Sequence, residues 1–520
     1  MKKATYRDLA ILFGITLLIF YPLFYTHYFY TDEIGQLRNY RPGSHYHMFV
    51  GLGRYITDTI FQFLFNSIDT IRQITRLRIF SLFGWMACIP VWYLILTRVC
   101  QKEELPRLLP FFTVLYLVCC PPFCVYVSWA SCMELFIANT SGLLAGYTLY
   151  SQIKFLPTAG SVHKRMELSA MAVGWTLLFG VVSLFTYQNG FGCFLLPFLL
   201  HAIAKREWSR TLGAAIGIYL LTYLLYYALF RWQMRLWHID SSERTGFSPA
   251  PLSKMAFFLV RPLATAFRFT WIAREDSSPA LYISQSILLA WLLVNFYIHR
   301  SLSASVRLLY LAGIGCLLGL IYLPSLIAKE NYASNRTLLG LDLAVFLLVF
   351  STLLRAVRAE KYRPIMAALL GLFFVANAWY NFHYQFLAPV KKEYDQVRNY
   401  IETQYHPGIT SVTFIRPPQQ LFHDLYGVNI SWDEFGVPST FPQWVPEDFV
   451  RQVVWEKTGS RAAADSLVIA NWPDEQAYIV SRPGPALAPA PDPLAPHNPA
   501  SGLVAPGPHT LIIDVEKIMR

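Results

Sequence analysis

Between Leu9 and Tyr30 the chain carries no Asp, Glu, Lys or Arg. A run of that length crosses a hydrocarbon core of about 30 Å as a helix, and it is too long for the core of a signal peptide. Inside hydrocarbon every backbone N–H and C=O must be paired within the segment or in a closed barrel, so such a run is read as helix. Comparable runs fall near 77–97, 109–127, 134–152, 168–187, 190–204, 211–230, 280–298, 308–326, 337–354 and 364–386, which predicts an α-helical polytopic membrane protein with about eleven transmembrane helices over 1–389. Composition agrees: 55% of residues are hydrophobic and 14% are charged, against about a quarter charged in soluble proteins. A soluble, disordered or fibrous chain is excluded.

The net charge is +11, but Lys and Arg sit at the ends of apolar runs, which marks membrane topology and excludes nucleic acid as a partner. Alternate connections hold Arg98, Lys102 and Arg107; Lys154, Lys164 and Arg165; Lys205, Arg206 and Arg210; Arg300 and Arg307; and Arg355, Arg358, Lys361 and Arg363. These loops are predicted to be cytoplasmic, as is the N-terminus behind Lys2 and Lys3, and an odd number of spans puts the C-terminus outside. Cys88, Cys119, Cys120, Cys124, Cys193 and Cys316 lie inside apolar runs, where thiols act as small hydrophobes, so no disulfide framework or zinc site is expected.

Three regions are predicted on the external side. In loop 31–75, Ile56, Ile60, Phe63, Leu64, Ile68 and Ile71 recur at helical spacing, as in a helix lying in the membrane interface. Loop 231–279 interleaves Trp232, Trp237, Phe247 and Trp271 with Arg231, Arg235, Arg244 and Arg261, a composition suited to lipid headgroups. From 390 to 520 hydropathy falls, and a small α/β domain is expected, with helices at 394–405 and 446–457 and strands at 411–415, 466–470, 477–480 and 510–515. Its segment 482–509 is rich in Pro and Ala and reads as a loop without a core.

Four polar constellations interrupt this apolar background. Asp32 and Glu33 stand just past the first span, where adjacent carboxylates repel each other and one is driven toward the range of a general base; a solvated helix end is the plainer reading. Gly53-Arg54 opens the interfacial helix, and an Arg there can fork onto a phosphate or serve as an interface anchor. Tyr187-Gln188, ahead of the Asn189-Gly190 turn, offers hydroxyl and amide groups suited to a sugar, or to holding a helix hairpin together. Asn335-Arg336, and Arg244 in Ser242-Glu243-Arg244, place cations on the side where the positive-inside rule disfavours them, as phosphate holders or as ordinary headgroup contacts. Glu134 lines the same side or caps a helix. His45-x-His47 lacks a third ligand, so neither a metal nor another cofactor is expected, although a divalent ion stays open. Ser431-Trp432-Asp433-Glu434-Phe435-Gly436 is read as an exposed turn, structural or touching glycan.

The order of these motifs resembles the membrane glycosyltransferases of the GT-C superfamily, most nearly the bacterial O-antigen glucosyltransferase group. Its acidic pair in the first external loop is matched by Asp32-Glu33, its Gly-Arg element by Gly53-Arg54 and its middle Tyr-Gln by Tyr187-Gln188. The pair is Asp-Glu where many relatives have Asp-Asp, and the Pro/Ala-rich insertion has no counterpart. The resemblance covers about residues 1–390 and implies a multi-pass protein of the bacterial inner membrane with its C-terminal domain in the periplasm. It implies transfer of a hexose such as glucose from a polyprenyl-phosphate donor to O-antigen, lipopolysaccharide or another surface glycan.

Chemically, Asp32 would be the base and Glu33 would orient it or bind the sugar. Arg54, Arg244 and Arg336 would hold the lipid phosphate, with Asn335 a further substrate contact and Tyr187 and Gln188 near the sugar. A lipid-linked sugar flippase and another envelope glycan-modifying transferase are the alternatives. The sparse Asp424, Asp433 and Glu434 give no metal cluster for a phosphoethanolamine transferase.

Overall fold

The computed structural model describes residues 2–41, 43–44, 46–157, 164–167, 169–206, 209–242, 244, 246–274, 277–298, 303–331, 333–357, 359–477 and 509–520. The expected loop 482–509 therefore lies outside the described residues apart from His509, as does the expected strand at 477–480 apart from Ala477. Contacts divide the chain into two compact units that do not follow a linear split. The first comprises Met1–Phe24, His45–Leu64 and Arg76–His383; the second comprises Tyr25–Ser44, Phe65–Thr75 and Tyr384–Arg520.

Seven helices among the described residues are long and apolar enough to cross a membrane: Thr5–Phe24, Ile71–Lys102, Arg210–Trp237, Ser278–Ile298, Ala304–Ile321, Leu339–Ala356 and a stretch within Glu360–Gln404. Leu109–Cys119 and Pro121–Ser128 make an eighth if the pair, bent by 50° at Cys120, is one span. Pro121 and Pro122 explain the bend, because their rings cannot continue a helix.

The expected eleven are not all found. Ala170–Thr186 is helical but short, at 17 residues. The expected span 190–204 is replaced by a 3-10 segment, Gln188–Leu195, and a ten-residue helix, Leu196–Lys205. Gly190, Gly192 and Pro197 interrupt the pattern, and the 3-10 segment packs tightly on the Leu135–Gln152 helix. A Cβ on Gly146 would come within 2.0 Å of the Phe194 carbonyl oxygen, so only glycine permits that approach. Of the stretch expected to form a helix in the first loop, Tyr55–Phe65 is helical, while Ile68 lies beyond it and Ile71 begins the next helix.

Just beyond the Ile71–Lys102 helix, Glu103 is buried in a polar cluster of the first unit. Its Oε1 accepts from the Tyr150 hydroxyl at 2.5 Å and lies 2.8 Å from His201 Nδ1, while His201 Nε2 is 3.1 Å from Ser209 Oγ. Lys205 Nζ approaches its Oε2 at 3.9 Å. Burial works against the Glu103 charge, but the His201 and Tyr150 hydrogen bonds and the nearby cations win, holding the carboxyl below its ordinary value. Nearby, Lys154–Pro157 (β1) and Lys164–Glu167 (β2) pair antiparallel.

The second unit contains a three-stranded parallel sheet with Ser411–Ile415 (β3) at the centre, Val468–Trp472 (β4) on one side and Thr510–Asp514 (β5) on the other. Helices Ala388–Gln404 and Val445–Thr458 accompany it, close to the predicted elements. Val412, Phe414, Leu511 and Ile513 are buried with Val397, Ile401, Phe449, Val450 and Val453 to form the core. Contrary to a purely C-terminal domain, Tyr25–Ser44 and Phe65–Thr75 belong to this unit. The rings of Phe29 and Phe449 pack in a tilted arrangement with centroids 4.5 Å apart, and Arg38 bonds Asp448 Oδ1 at 3.1 Å and Asp465 Oδ1 at 2.5 Å. The change of unit along the chain, at His383/Tyr384, falls within the π-helical stretch Asn381–Leu387.

Candidate functional site

In the second unit, Asp32 precedes the short helix Glu33–Asn39 but makes no side-chain capping bond. Its half-buried carboxylate instead receives the Trp444 indole N–H at 2.9 Å on Oδ1. Glu33 is 0% exposed, and its Oε2 accepts the Tyr30 backbone N–H at 2.7 Å, which gives it a structural capping duty at the start of that helix. Between them in function stands Thr31 at φ +39, a left-handed conformation that a β-branched residue adopts only under constraint. The Tyr30 hydroxyl supplies part of that constraint by donating to the Asp433 carbonyl at 2.8 Å. Burial pushes the Asp448 carboxyl above its ordinary value, and Arg38 opposes that shift.

The expected exposed turn 431–436 is largely buried: Glu434 and Phe435 are both 0% exposed. The backbone of Ser431 pairs with that of Phe435, folding the turn inward. Trp444 is exposed in this unit, as are Tyr25 and Tyr384.

In the first unit, Arg54, Tyr187 and Gln188 meet. Arg54 Nε donates to Gln188 Oε1 at 3.1 Å, and its guanidinium lies 4.3 Å over the Tyr187 ring. Gln188 Nε2 in turn donates to the Leu52 carbonyl at 2.7 Å and the Tyr226 hydroxyl at 2.8 Å. Gly53 is left-handed at φ +74, and a Cβ there would come within 2.2 Å of the Tyr226 hydroxyl, so glycine is what lets Arg54 reach this position. No described residue accepts a hydrogen bond from the two Nη groups of Arg54. A fork held flat by an aromatic ring and by its Nε, with its terminal donors unspent, is suited to two oxygens of one anion.

Glu134, which the sequence leaves between cavity lining and helix cap, makes no capping bond with the Leu135–Gln152 helix. It is 2% exposed, and its Oε1 accepts from the Thr57 hydroxyl at 3.0 Å; Thr57 also lies 2.7 Å from the Thr186 carbonyl. Its Oε2 is buried without a partner. Thr57 stands one turn along the helix opened by Arg54, so this carboxylate joins the same cluster through Thr57. Nothing in the local sequence singles out Thr57.

Arg336 lies 4.4 Å over the Trp129 ring, and its carbonyl accepts from the Tyr126 hydroxyl at 3.0 Å, beside the buried Asn335. Asn189 donates to Ser325 at 3.0 Å. Arg244 stands apart: its side chain is 70% exposed and 3.7 Å from Glu330, an ion pair worth little in water. His47 Nδ1 lies 2.8 Å from Asp58 Oδ2, which accounts for that histidine, while His45 and Glu243 lie outside the described residues. Among the described residues no group of three His, Cys, Asp or Glu side chains is placed to hold a metal.

These features define a helical membrane protein with polar clusters in both units. No protein-family model matches the chain, and no curated protein matches it.

Proposed function

We propose that the protein is a membrane glycosyltransferase that moves a hexose such as glucose from a polyprenyl-phosphate carrier to a surface glycan of the O-antigen or lipopolysaccharide type, on the external face of a bacterial inner membrane. The observation that carries this reading is the Arg54 fork, oriented by Gln188 and Tyr187 with its terminal donors unspent. It suits the phosphate that leaves when the sugar–phosphate bond breaks. A departing phosphate needs charge stabilisation more than a proton, so a guanidinium suffices there.

Asp32 is the proposed base. It removes the proton of the acceptor hydroxyl as that oxygen attacks the anomeric carbon, and the bonding pair leaves with the lipid phosphate. Glu33 holds the Asp32 backbone through its bond to Tyr30. Tyr187 and Gln188 hold Arg54 in place near the sugar, with Asn335 and Arg336 as further contacts for the carrier. The apolar helix surfaces suit the polyprenyl tail. The charge pattern of the connecting loops supports a cytoplasmic N-terminus and an external second unit.

The test uses full-length protein in nanodiscs with undecaprenyl-phosphate [14C]glucose and O-antigen-bearing lipopolysaccharide. Label is expected in the glycan, and Asp32→Asn is expected to lower the rate at least about a hundredfold, the scale of a general base. An Asp32→Asn protein as fast as the parent overturns the assignment. In sealed vesicles, label that changes leaflet without being transferred identifies a flippase instead.

A further inference from the structure

Of the described tryptophans of the second unit, Trp432, Trp455 and Trp472 are half-buried, whereas Trp444 is 61% exposed. It stands immediately before the Val445–Thr458 helix, whose first turn buries Val445 and Pro446 and fixes the backbone beneath the ring. Its neighbour Gln443 is tied down as well, through a 2.6 Å bond from the Asn471 amide to the Gln443 carbonyl. The exposed ring is therefore held on an ordered base.

The ring is also held by its edge. The indole nitrogen is a donor only, and it donates at 2.9 Å to Asp32 Oδ1. A hydrogen bond to a carboxylate is of the stronger, charge-assisted kind, and it fixes both the plane of the indole and the rotamer of Asp32. What is left for solvent is the aromatic face, a few Å from a carboxylate. Pyranose rings present C–H groups of partial positive charge on one face, which complement the negative face of an aromatic ring, and hydroxyls around their rim. A sugar stacked on Trp444 thus presents rim hydroxyls to Asp32.

We infer that Trp444 is both the stacking platform for a neutral sugar ring of the acceptor glycan and the positioning residue that orients the Asp32 carboxylate. This rests on the reading of Asp32 as the base, and it gives the second unit a specific duty, acceptor recognition.

Binding and transfer are measured separately on full-length protein in nanodiscs. Saturation-transfer NMR is recorded with soluble trisaccharides of glucose, galactose, rhamnose or N-acetylglucosamine. At least one is expected to bind the parent, Trp444→Ala to weaken it by about tenfold, and Trp444→Phe, which keeps a ring, to weaken it by less than about threefold. In the transfer assay Trp444→Phe is expected to lower kcat by about three- to tenfold with the KM for glycan little changed, since it keeps the ring and removes the donor that orients the base. Trp444→Ala additionally raises the KM for glycan.

Equal binding by parent and Trp444→Ala, or no binding of any trisaccharide to the parent, overturns the platform. An unchanged kcat in Trp444→Phe overturns the positioning role. If Trp444→Ala does not fold, Trp444→Leu is read in its place. Saccharide binding that depends on Trp444 in a parent that transfers no sugar keeps the subsite and sinks the enzyme reading instead.

Discussion

The Arg54 guanidinium lies 4.3 Å over the ring of Tyr187 while its Nε bonds the next residue, Gln188. One dipeptide thus supplies both the face and the edge that orient the cation, and this is a geometry that lysine cannot reproduce. Arg54→Lys keeps the charge but loses the fork and the flat stacking. Donor turnover is expected to fall about 10–100-fold, and Tyr187→Leu to cost less than Arg54→Ala. Equal turnover in Arg54→Lys and parent, measured with labelled lipid donor, removes Arg54 from the phosphate site.

Glu134 separates function from stability. A buried carboxylate with an unpartnered oxygen adds little to folding, and replacement by an apolar residue of similar size is neutral or stabilising. Glu134→Leu is expected to leave Tm unchanged or raise it, while transfer falls by about tenfold or more. A variant that loses stability and keeps activity makes Glu134 a structural group.

Arg38 joins the first-loop helix to Asp448 and Asp465, with its side chain 7% exposed. Arg38→Met leaves a partly buried carboxylate without its cation and is expected to destabilise the second unit by about 2–3 kcal/mol. Adding Asp448→Leu is expected to recover much of that loss. Limited proteolysis of the two variants over a denaturant series reads both effects.

Glu103 predicts a pH dependence in the first unit. Its carboxyl is held below the ordinary value in the folded protein, so the charged form is worth stability that is fully present above the unfolded-state value. That stability is lost as pH falls through the unfolded and then the folded value, below about 4.3. Glu103→Gln is expected to lower Tm at neutral pH and to flatten its fall in this acidic window. A parallel decline in variant and parent removes Glu103 as the cause.

The apolar helices were legible because long charge-free runs allow one backbone solution in hydrocarbon. The failure at 190–204 was physical: hydropathy averages over Gly190, Gly192 and Pro197, whereas backbone geometry does not. The helices and strands of the second unit were legible from period and turn residues, and three of the expected strands are found close to their predicted limits. Its true extent was not. Arg38 with Asp448 and Tyr30 with Asp433 are pairings across more than four hundred residues, and neither partner carries a local signal of the other.

The same limit shaped the site. Gly53-Arg54 and Tyr187-Gln188 stand apart in the sequence and are brought together by the fold, while Glu33 is engaged with backbone. Trp444 escaped notice because one aromatic before a helix has no period. Thr57 was just as silent, and its signal exists only once Glu134 is placed opposite it.

The bond between Asp32 and Trp444 also sets a clock. The two residues are 412 positions apart, and at about 5–20 residues per second a ribosome needs about 20–80 s to pass from one to the other. Throughout that interval the segment after the first helix waits for Phe449, Asp448 and Trp444, the later-made partners of Phe29, Arg38 and Asp32. Secretion machinery and chaperones therefore meet this protein as a half-built surface, and a mutation far downstream in Val445–Thr458 is felt first as misassembly of a segment made at the very start.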